Sequence, residues 1–201
     1  MTAKPGRRTQ EERRATTRAK LLEAAAACLL ERGYAATTVS EVQERAGVAR
    51  GTLLHHFPTK VELMVAATEH VVDQRVEQFR LAAAEIPADE DRLDALVDLA
   101  WRDLSSPVFF TAMELWMAAR TDAELRSAVL VLEERLFQRM RESYASVLDD
   151  QAGDLAVPLE FTIDVLTGLS ITAMLSGKLG PRQPLLDKWK QALRLLVEGQ
   201  S

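Results

Sequence analysis

Residues 37–60, TTVSEVQERAGVARGTLLHHFPTK, contain two short helical patterns on either side of Gly47. Thr38 and Glu41 have the spacing of a capping box, in which a hydroxyl and a carboxylate each satisfy a free backbone amide at the start of a helix. Gly47 comes directly after this helix, where glycine tolerates the left-handed backbone that closes the last turn. The segment therefore predicts two helices joined by a tight turn.

The second helical pattern has an apolar side and a polar side. Leu53 and Phe57 are four residues apart, so they share one face of a short helix and can anchor it to a core. The opposite face carries Arg50, Thr52, His55 and His56. Pro58 ends this helix because the residue before a proline disfavours helical backbone. Thr59-Lys60-Val61-Glu62 then repeats the capping-box pattern and starts a further helix.

The same stretch and the helix before it resemble the tetracycline-repressor (TetR) family of transcriptional regulators. The resemblance covers about the first third of the chain, and many residues in a fixed order carry it. They are the helix at 21–33 with Tyr34-Ala35-Ala36-Thr37-Thr38, then Ala46-Gly47-Val48, Gly51-Thr52-Leu53 and His56-Phe57-Pro58-Thr59-Lys60.

The resemblance implies that the helix from Arg50 to Phe57 enters the major groove of operator DNA and that Lys60 contacts a backbone phosphate. Two positions depart from the usual family pattern. Ala49 stands where Ser or Thr usually caps the recognition helix, and Leu54 stands where a Tyr hydroxyl usually binds phosphate. The predicted DNA contacts are Thr38, Arg50, Gly51, Thr52, His55, His56 and Lys60.

Charge is distributed unevenly along the chain. Residues 1–60 contain 11 Lys and Arg against 6 Asp and Glu, a net charge of +5, whereas residues 61–201 have a net charge of −10. Such a charge run can be a solvated tail, but next to a helix-turn-helix it suits the neutralisation of DNA phosphates. We predict a basic amino-terminal arm at 1–16, a DNA-binding domain at 17–60 and a second domain at 61–201.

Composition and periodicity predict a protein built only of α-helices. Of the 201 residues, 47% are hydrophobic and 27% charged, and apolar residues beyond Lys60 recur at helical spacing without strand-like alternation. No segment has the apolar length of a membrane span or the form of a signal peptide, so we expect a cytoplasmic protein. The single cysteine, Cys28, lies on an apolar helix face and is expected to pack in the core.

The last two predicted helices, at about 159–178 and 185–197, follow a predicted loop at 149–158 and are candidates for a homodimer interface. An apolar stripe and several small residues suit close helix packing. Such stripes also face their own core, and periodicity does not identify the partner. The resemblance implies a dimer through a four-helix bundle. The candidate interface residues are Gly168, Thr172, Leu185, Trp189 and Leu193.

Large, adaptable side chains are concentrated in the middle of the second domain, where the resemblance implies an effector-binding region. Apolar pockets with a few polar groups are typical of small-molecule sites, although aromatic and Met residues also fill ordinary cores. Thr111, Glu114 or Arg120 are candidates to orient a ligand. The candidate pocket residues are Trp101, Phe109, Phe110, Met113, Trp116, Met117, Phe137 and Phe161.

An enzyme is not indicated. The three histidines do not have metal-ligand spacing, and no nucleophile elbow, phosphate loop or dinucleotide-binding turn is present in the sequence. We therefore predict neither a catalytic site nor a metal or cofactor. The leading hypothesis is a dimeric repressor that binds a pseudo-palindromic operator and is released by a small molecule. The alternative is a helical ligand-binding or protein-interaction module that no longer reads DNA.

Overall fold

The structure is a computed structural model that describes residues 9–87, 91–148, 156–177 and 182–198. Within these ranges the chain is helical and contains no strand, so the predicted all-α fold is confirmed. The helices are α1 (Gln10–Ala36), α2 (Val39–Ala46), α3 (Arg50–His56), α4 (Lys60–Ala84), α5 (Arg92–Leu104), α6 (Pro107–Ala119), α7 (Ala123–Leu148), α8 (Ala156–Ser176) and α9 (Gln183–Glu198). No helix in the described part combines the length and apolar content needed to cross a bilayer.

The first of two compact units contains the described residues up to Val71 together with Glu114–Val129. Apolar side chains of α1 to α4 form one core with the ends of α6 and α7 that belong to this unit, and Cys28 is buried in it as predicted. Its fully buried large side chains include Leu21, Val42, Leu53, Leu63, Met64, Leu115 and Leu125. The unit therefore extends beyond the predicted boundary at residue 60, because the start of α4 supplies core residues.

The second unit contains Val72–Met113 and the described residues from Leu130 onward. In it α5 packs against α8 and α9 around a second apolar core. The hydroxyl of Ser170 donates to the Leu104 carbonyl oxygen at 2.5 Å, which joins α8 to the end of α5. The buried Lys190 of α9 lies 2.6 Å from a carboxylate oxygen of Asp98 on α5. This ion pair offsets the cost of burying the lysine charge.

Two helix starts differ from the predictions. α1 begins at Gln10, because Thr9 and Glu12 form a capping box, so residues 10–16 of the predicted arm are helical. Three basic residues of the predicted arm, Lys4, Arg7 and Arg8, lie outside the described residues. α8 begins at Ala156, so the predicted loop does not extend to Pro158; proline is tolerated in the first turn of a helix, where its missing N–H has no partner to lose. Residues 149–155 lie outside the described ranges.

Candidate nucleic-acid interface

The turn between α2 and α3 has the predicted geometry. The Thr38 hydroxyl accepts from the Glu41 N–H, and the Glu41 carboxylate accepts from the Thr38 N–H. Gly47 has φ 64° and ψ 37°, in the left-handed region, and its N–H bonds back to the end of α2. The capping box and the glycine turn, both read from the sequence, therefore set the direction in which the chain enters α3.

Helix α3 is held by its apolar face and exposes its polar face. Leu53 and Phe57 are buried in the first core, as their spacing predicted. Arg50, Thr52 and His55 are exposed. Of the side chains predicted to touch DNA on this helix, His56 is half-buried and the other three are exposed.

The first turn of α3 leaves room for a close partner. Ala49 is the N-cap residue and makes no side-chain cap, so the amides at this end rely on other acceptors. A Cβ built on Gly51 would meet nothing within 4 Å, so packing within the protein does not require glycine at this position. Leu54 is 42% exposed, so α3 also presents an apolar side chain to solvent.

Basic residues of α1 lie beside the far end of α3. The guanidinium carbon of Arg18 is 5.2 Å from the centroid of the Phe57 ring. Partial burial lowers the pKa of His56, and the charges of His55, Arg14 and Arg18 lower it further. This cluster joins the basic start of α1 to the end of α3.

Lys60, the predicted phosphate contact, is half-buried and supported by Tyr34. Its ammonium donates to the Tyr34 carbonyl oxygen at 3.3 Å and lies 4.9 Å from the centroid of the Tyr34 ring. An ammonium has three donors, so a phosphate oxygen can bind the same group. The Thr38 hydroxyl is exposed and takes part in the capping box, so any DNA contact it makes adds to its cap role.

Sequence reasoning missed two features of this region, one of which had a local signal. Thr9-Gln10-Glu11-Glu12 has the spacing of a capping box and places Arg14 and Arg18 on a formed helix. Ion pairs between α1 and α2 had no comparable signal. Arg45 bonds Glu31 at 2.5 and 2.7 Å, and Arg32 bonds Glu41, so these two arginines are already paired.

The predicted pocket residues do not share one environment. In the second unit, Trp101 and Phe109 pack against the core, and the rings of Phe109 and Phe110 are 5.7 Å apart. Met113 is half-buried, whereas Phe137 and Phe161 are exposed. In the first unit, Trp116 packs against the core and Met117 is 63% exposed. The helical spacing of these residues did not reveal which of them turn toward solvent.

Two candidate pocket groups have other partners. The Glu114 carboxylate accepts from the Tyr34 N–H in the first unit, and the Thr111 hydroxyl donates to the Pro107 carbonyl oxygen in the second. Phe161 belongs with the predicted interface residues, because its ring lies 5.3 Å from that of Trp189. The carbonyl of Arg120, the third candidate, accepts from Arg126.

The predicted dimer residues divide between an exposed and a buried face. Gly168 and Thr172 are exposed on α8, with Phe161 and Leu175 in the same helical stripe. On α9, Leu185 is exposed and Trp189 half-buried. Leu193 is 0% exposed and packs in the core of its own unit, so it cannot contact a partner directly.

The chain matches the family model for bacterial regulatory proteins of the tetR family over residues 21–67, which include α2, α3 and the start of α4. The HTH-type transcriptional regulator CymR of Pseudomonas putida is 37% identical over 131 residues, or 65% of this chain and 64% of CymR. The chain thus spans slightly less than two thirds of that relative. The HTH-type transcriptional regulator BetI of Burkholderia thailandensis is 30% identical over 164 residues, or 80% of this chain and 83% of BetI.

A solved structure extends the likeness to almost the whole fold. The multidrug binding protein EbrR, complexed with proflavin, superposes with a TM-score of 0.59 at 24% identity. The match covers 90% of this chain and 99% of that one. The arrangement of helices is therefore shared well beyond the segment that the family model covers.

Proposed function

Because this chain belongs to the TetR family of bacterial transcriptional regulators, we propose that it is a dimeric repressor that binds a pseudo-palindromic operator and is released by a small molecule. The observation that carries the proposal is the exposure of Arg50, Thr52 and His55 on α3, a helix that is docked by the buried Leu53 and Phe57. A helix docked by one face and polar on the other suits insertion into a major groove. Action on chromosomal DNA would place the protein in the cytoplasm.

Within this interface we assign different tasks to Arg50 and Lys60. Arg50 stands in the first turn of α3, where a guanidinium can bind a guanine edge with two hydrogen bonds. Lys60 stands at the start of α4 and supplies a phosphate contact, which fixes register but reads no sequence. Arg14 and Arg18 on α1 add positive charge for the phosphates next to the end of α3.

The dimer is proposed to form through the exposed stripe of α8 and the neighbouring face of α9. Phe161, Gly168, Thr172 and Leu175 are separated by seven, four and three residues, so they lie along one side of α8. The contact between Phe161 and Trp189 continues this surface onto α9. Two-fold pairing would present two α3 helices to two half-sites.

The effector is proposed to bind in the second unit beside Trp101, Phe109, Phe110 and Met113. These half-buried groups offer aromatic and thioether surface without complete burial in the core. Native mass spectrometry of the protein as purified should reveal a retained small molecule, and Trp101→Ala should lower its occupancy. Adding that molecule to the DNA complex should release the protein; a retained molecule that leaves DNA binding unchanged would contradict an effector role.

DNA reading can be tested before the operator sequence is identified. The full chain is used to select binding sites from a random double-stranded library, and affinity is then measured by fluorescence anisotropy over a range of salt concentrations. Arg50→Ala should weaken the selected site by about 1–3 kcal/mol and random DNA much less. Lys60→Ala should weaken both and lower the salt slope by about one.

Matched controls remove the same charges elsewhere. Arg102→Ala on α5 and Lys188→Ala on α9 change exposed residues of the second unit and should leave both affinities unchanged. Equal losses for Arg50→Ala on selected and random DNA would refute its assignment to base reading. A library that yields no enriched sequence and no salt-sensitive binding would favour the alternative, a helical module that does not read DNA.

A further inference from the structure

Glu114 of α6 reaches the point where α1 is broken, just before the helix-turn-helix. Gly33 has φ 75° and ψ 173° inside α1, a backbone conformation that is essentially restricted to glycine. The next N–H, that of Tyr34, donates to Glu114 Oε2 at 3.0 Å. The two residues are 80 positions apart in sequence, and both belong to the first unit.

The carboxylate occupies the space that a side chain at position 33 would need. A Cβ built on Gly33 would overlap Glu114 Oε2 and lie 3.0 Å from its Cδ. On the other side of the break, the N–H and the hydroxyl of Thr37 both bond the Gly33 carbonyl oxygen, at 3.3 and 2.7 Å. The end of α1 that follows the break is therefore held on both sides.

Tyr34 connects this contact to Lys60. Its N–H is bound by Glu114, while its carbonyl oxygen and its ring both support the Lys60 ammonium. One residue thus lies between a carboxylate of α6 and the proposed phosphate contact at the start of α4. A shift of the Tyr34 backbone would move the acceptor on which Lys60 rests.

The part of α6 that carries Glu114 is itself well anchored. Leu115 and Ala119 are buried in the first core. Arg126 of α7 donates to the Ala119 carbonyl oxygen at 3.2 Å and to that of Arg120, which satisfies acceptors at the end of the helix. The carboxylate is therefore presented from a fixed backbone.

We propose that Glu114 is a positioning residue for DNA binding: by holding the Tyr34 N–H it orients Lys60 toward the phosphate backbone. The inference rests on the proposed DNA-binding function and adds to the interface a residue that is not on the recognition face. It also accounts for glycine at position 33, because a larger residue would displace the carboxylate. Glu114 therefore acts through Tyr34 and need not touch DNA.

The test uses the full chain, the selected operator and salt-dependent anisotropy. Glu114→Ala should weaken operator binding by about threefold to tenfold, the worth of one hydrogen bond, and should lower the salt slope toward that of Lys60→Ala. Glu114→Gln keeps an acceptor oxygen and should remain within about twofold of wild type. Glu134→Ala, which removes an exposed carboxylate from α7, controls for the change in net charge.

A double variant separates positioning from a general loss of structure. If Glu114 acts through Lys60, Glu114→Ala should have little further effect in a Lys60→Ala background. Additive losses, equal losses for Glu114→Gln and Glu114→Ala, or wild-type binding by Glu114→Ala would each overturn the inference. Failure of the wild-type chain to select an operator would instead refute the proposed function, so the two failures are distinguishable.

Discussion

Arg18 of α1 lies over the aromatic ring of Phe57, the C-cap residue of α3, with its guanidinium carbon 5.2 Å from the ring centroid. The ring is buried, whereas the arginine is exposed. A cation over an aromatic face is attracted by the ring electrons. This contact brings the basic face of α1 to the end of α3, where His56 has its pKa lowered.

The operator affinity should depend on the protonation of His56. Its pKa is lowered by burial and by the charges of His55, Arg14 and Arg18, so the free protein favours the neutral ring. A nearby phosphate would raise this pKa, so binding should take up a proton and strengthen as pH falls below about 7, by up to about tenfold for each unit of pKa change. His56→Gln should flatten the dependence of operator affinity on pH, measured by anisotropy. If the variant keeps the wild-type pH dependence, His56 is not its source.

His56 should make folding stability depend on pH in the opposite direction: acidification should lower the free energy of unfolding of the protein without DNA. Because the folded-state pKa of His56 lies below its ordinary value of 6.5, its contribution to stability is present above that pH and is lost as pH falls through the folded-state pKa. Denaturant unfolding without DNA should therefore show that His56→Gln loses less stability than wild type on acidification. A larger loss in the variant would contradict the lowered pKa.

A side-chain cap introduced at position 49 should stabilise α3. Ala49 has extended backbone, with φ −70° and ψ 147°, and makes no cap hydrogen bond. Ala49→Thr should raise the free energy of unfolding by about 0.5–2 kcal/mol, because its hydroxyl can accept from a free amide of the first turn. The control is Ala49→Val, because valine has the shape of threonine but no acceptor for a hydrogen bond. Equal stabilities of the two variants in chemical denaturation would show that no cap forms.

Two glycines should respond in opposite ways to alanine. Gly33→Ala should cost about 1–3 kcal/mol from backbone strain, while the flexible end of the Glu114 side chain moves away from the new Cβ. Adding Glu114→Ala should therefore restore little of the lost stability. Gly51 lies within α3 with open space around it, so Gly51→Ala should stabilise by about 0.4–1 kcal/mol. Thermal unfolding distinguishes the two signs, and a stabilising Gly33→Ala would contradict the break in α1.

The proposed dimer surface can be blocked without disturbing the protomer. A Cβ at Gly168 would meet nothing within 4 Å, so Gly168→Leu should leave the fold intact while preventing close approach of a second α8. Sedimentation should show a shift toward monomer, and operator affinity should fall with it. Glu134→Leu adds the same side chain to an exposed site on α7 and should stay dimeric. A fully dimeric Gly168→Leu would place the interface elsewhere.

Several features of the interface were evident from residues close together in sequence. The capping box of Thr38 and Glu41, the left-handed Gly47 and the apolar spacing of Leu53 and Phe57 all depend on neighbours within about four positions. Local hydrogen bonds and helical spacing therefore predict them. The capping box of Thr9 and Glu12 had the same kind of signal, although these residues were predicted to lie in the arm.

Other features depended on contacts between distant segments. Leu185 and Leu193 belong to one apolar stripe, yet Leu185 is exposed and Leu193 is buried against its own unit. Periodicity defines the apolar side of a helix, but the neighbours that cover it determine which residues remain accessible. Phe161 was assigned to a pocket by composition, whereas its position beside Trp189 became visible only when α8 and α9 packed together.

The sequence alone determined the helical fold, the turn between α2 and α3 and the family of the protein, because these follow from short-range spacing and an ordered motif. Only the tertiary structure determined that Glu114 binds the Tyr34 N–H, that Tyr34 supports Lys60 and that Leu193 is closed to a partner. A hydrogen bond between groups 80 residues apart has no local signal in the sequence. It forms because the packing of the core brings α6 to the break in α1.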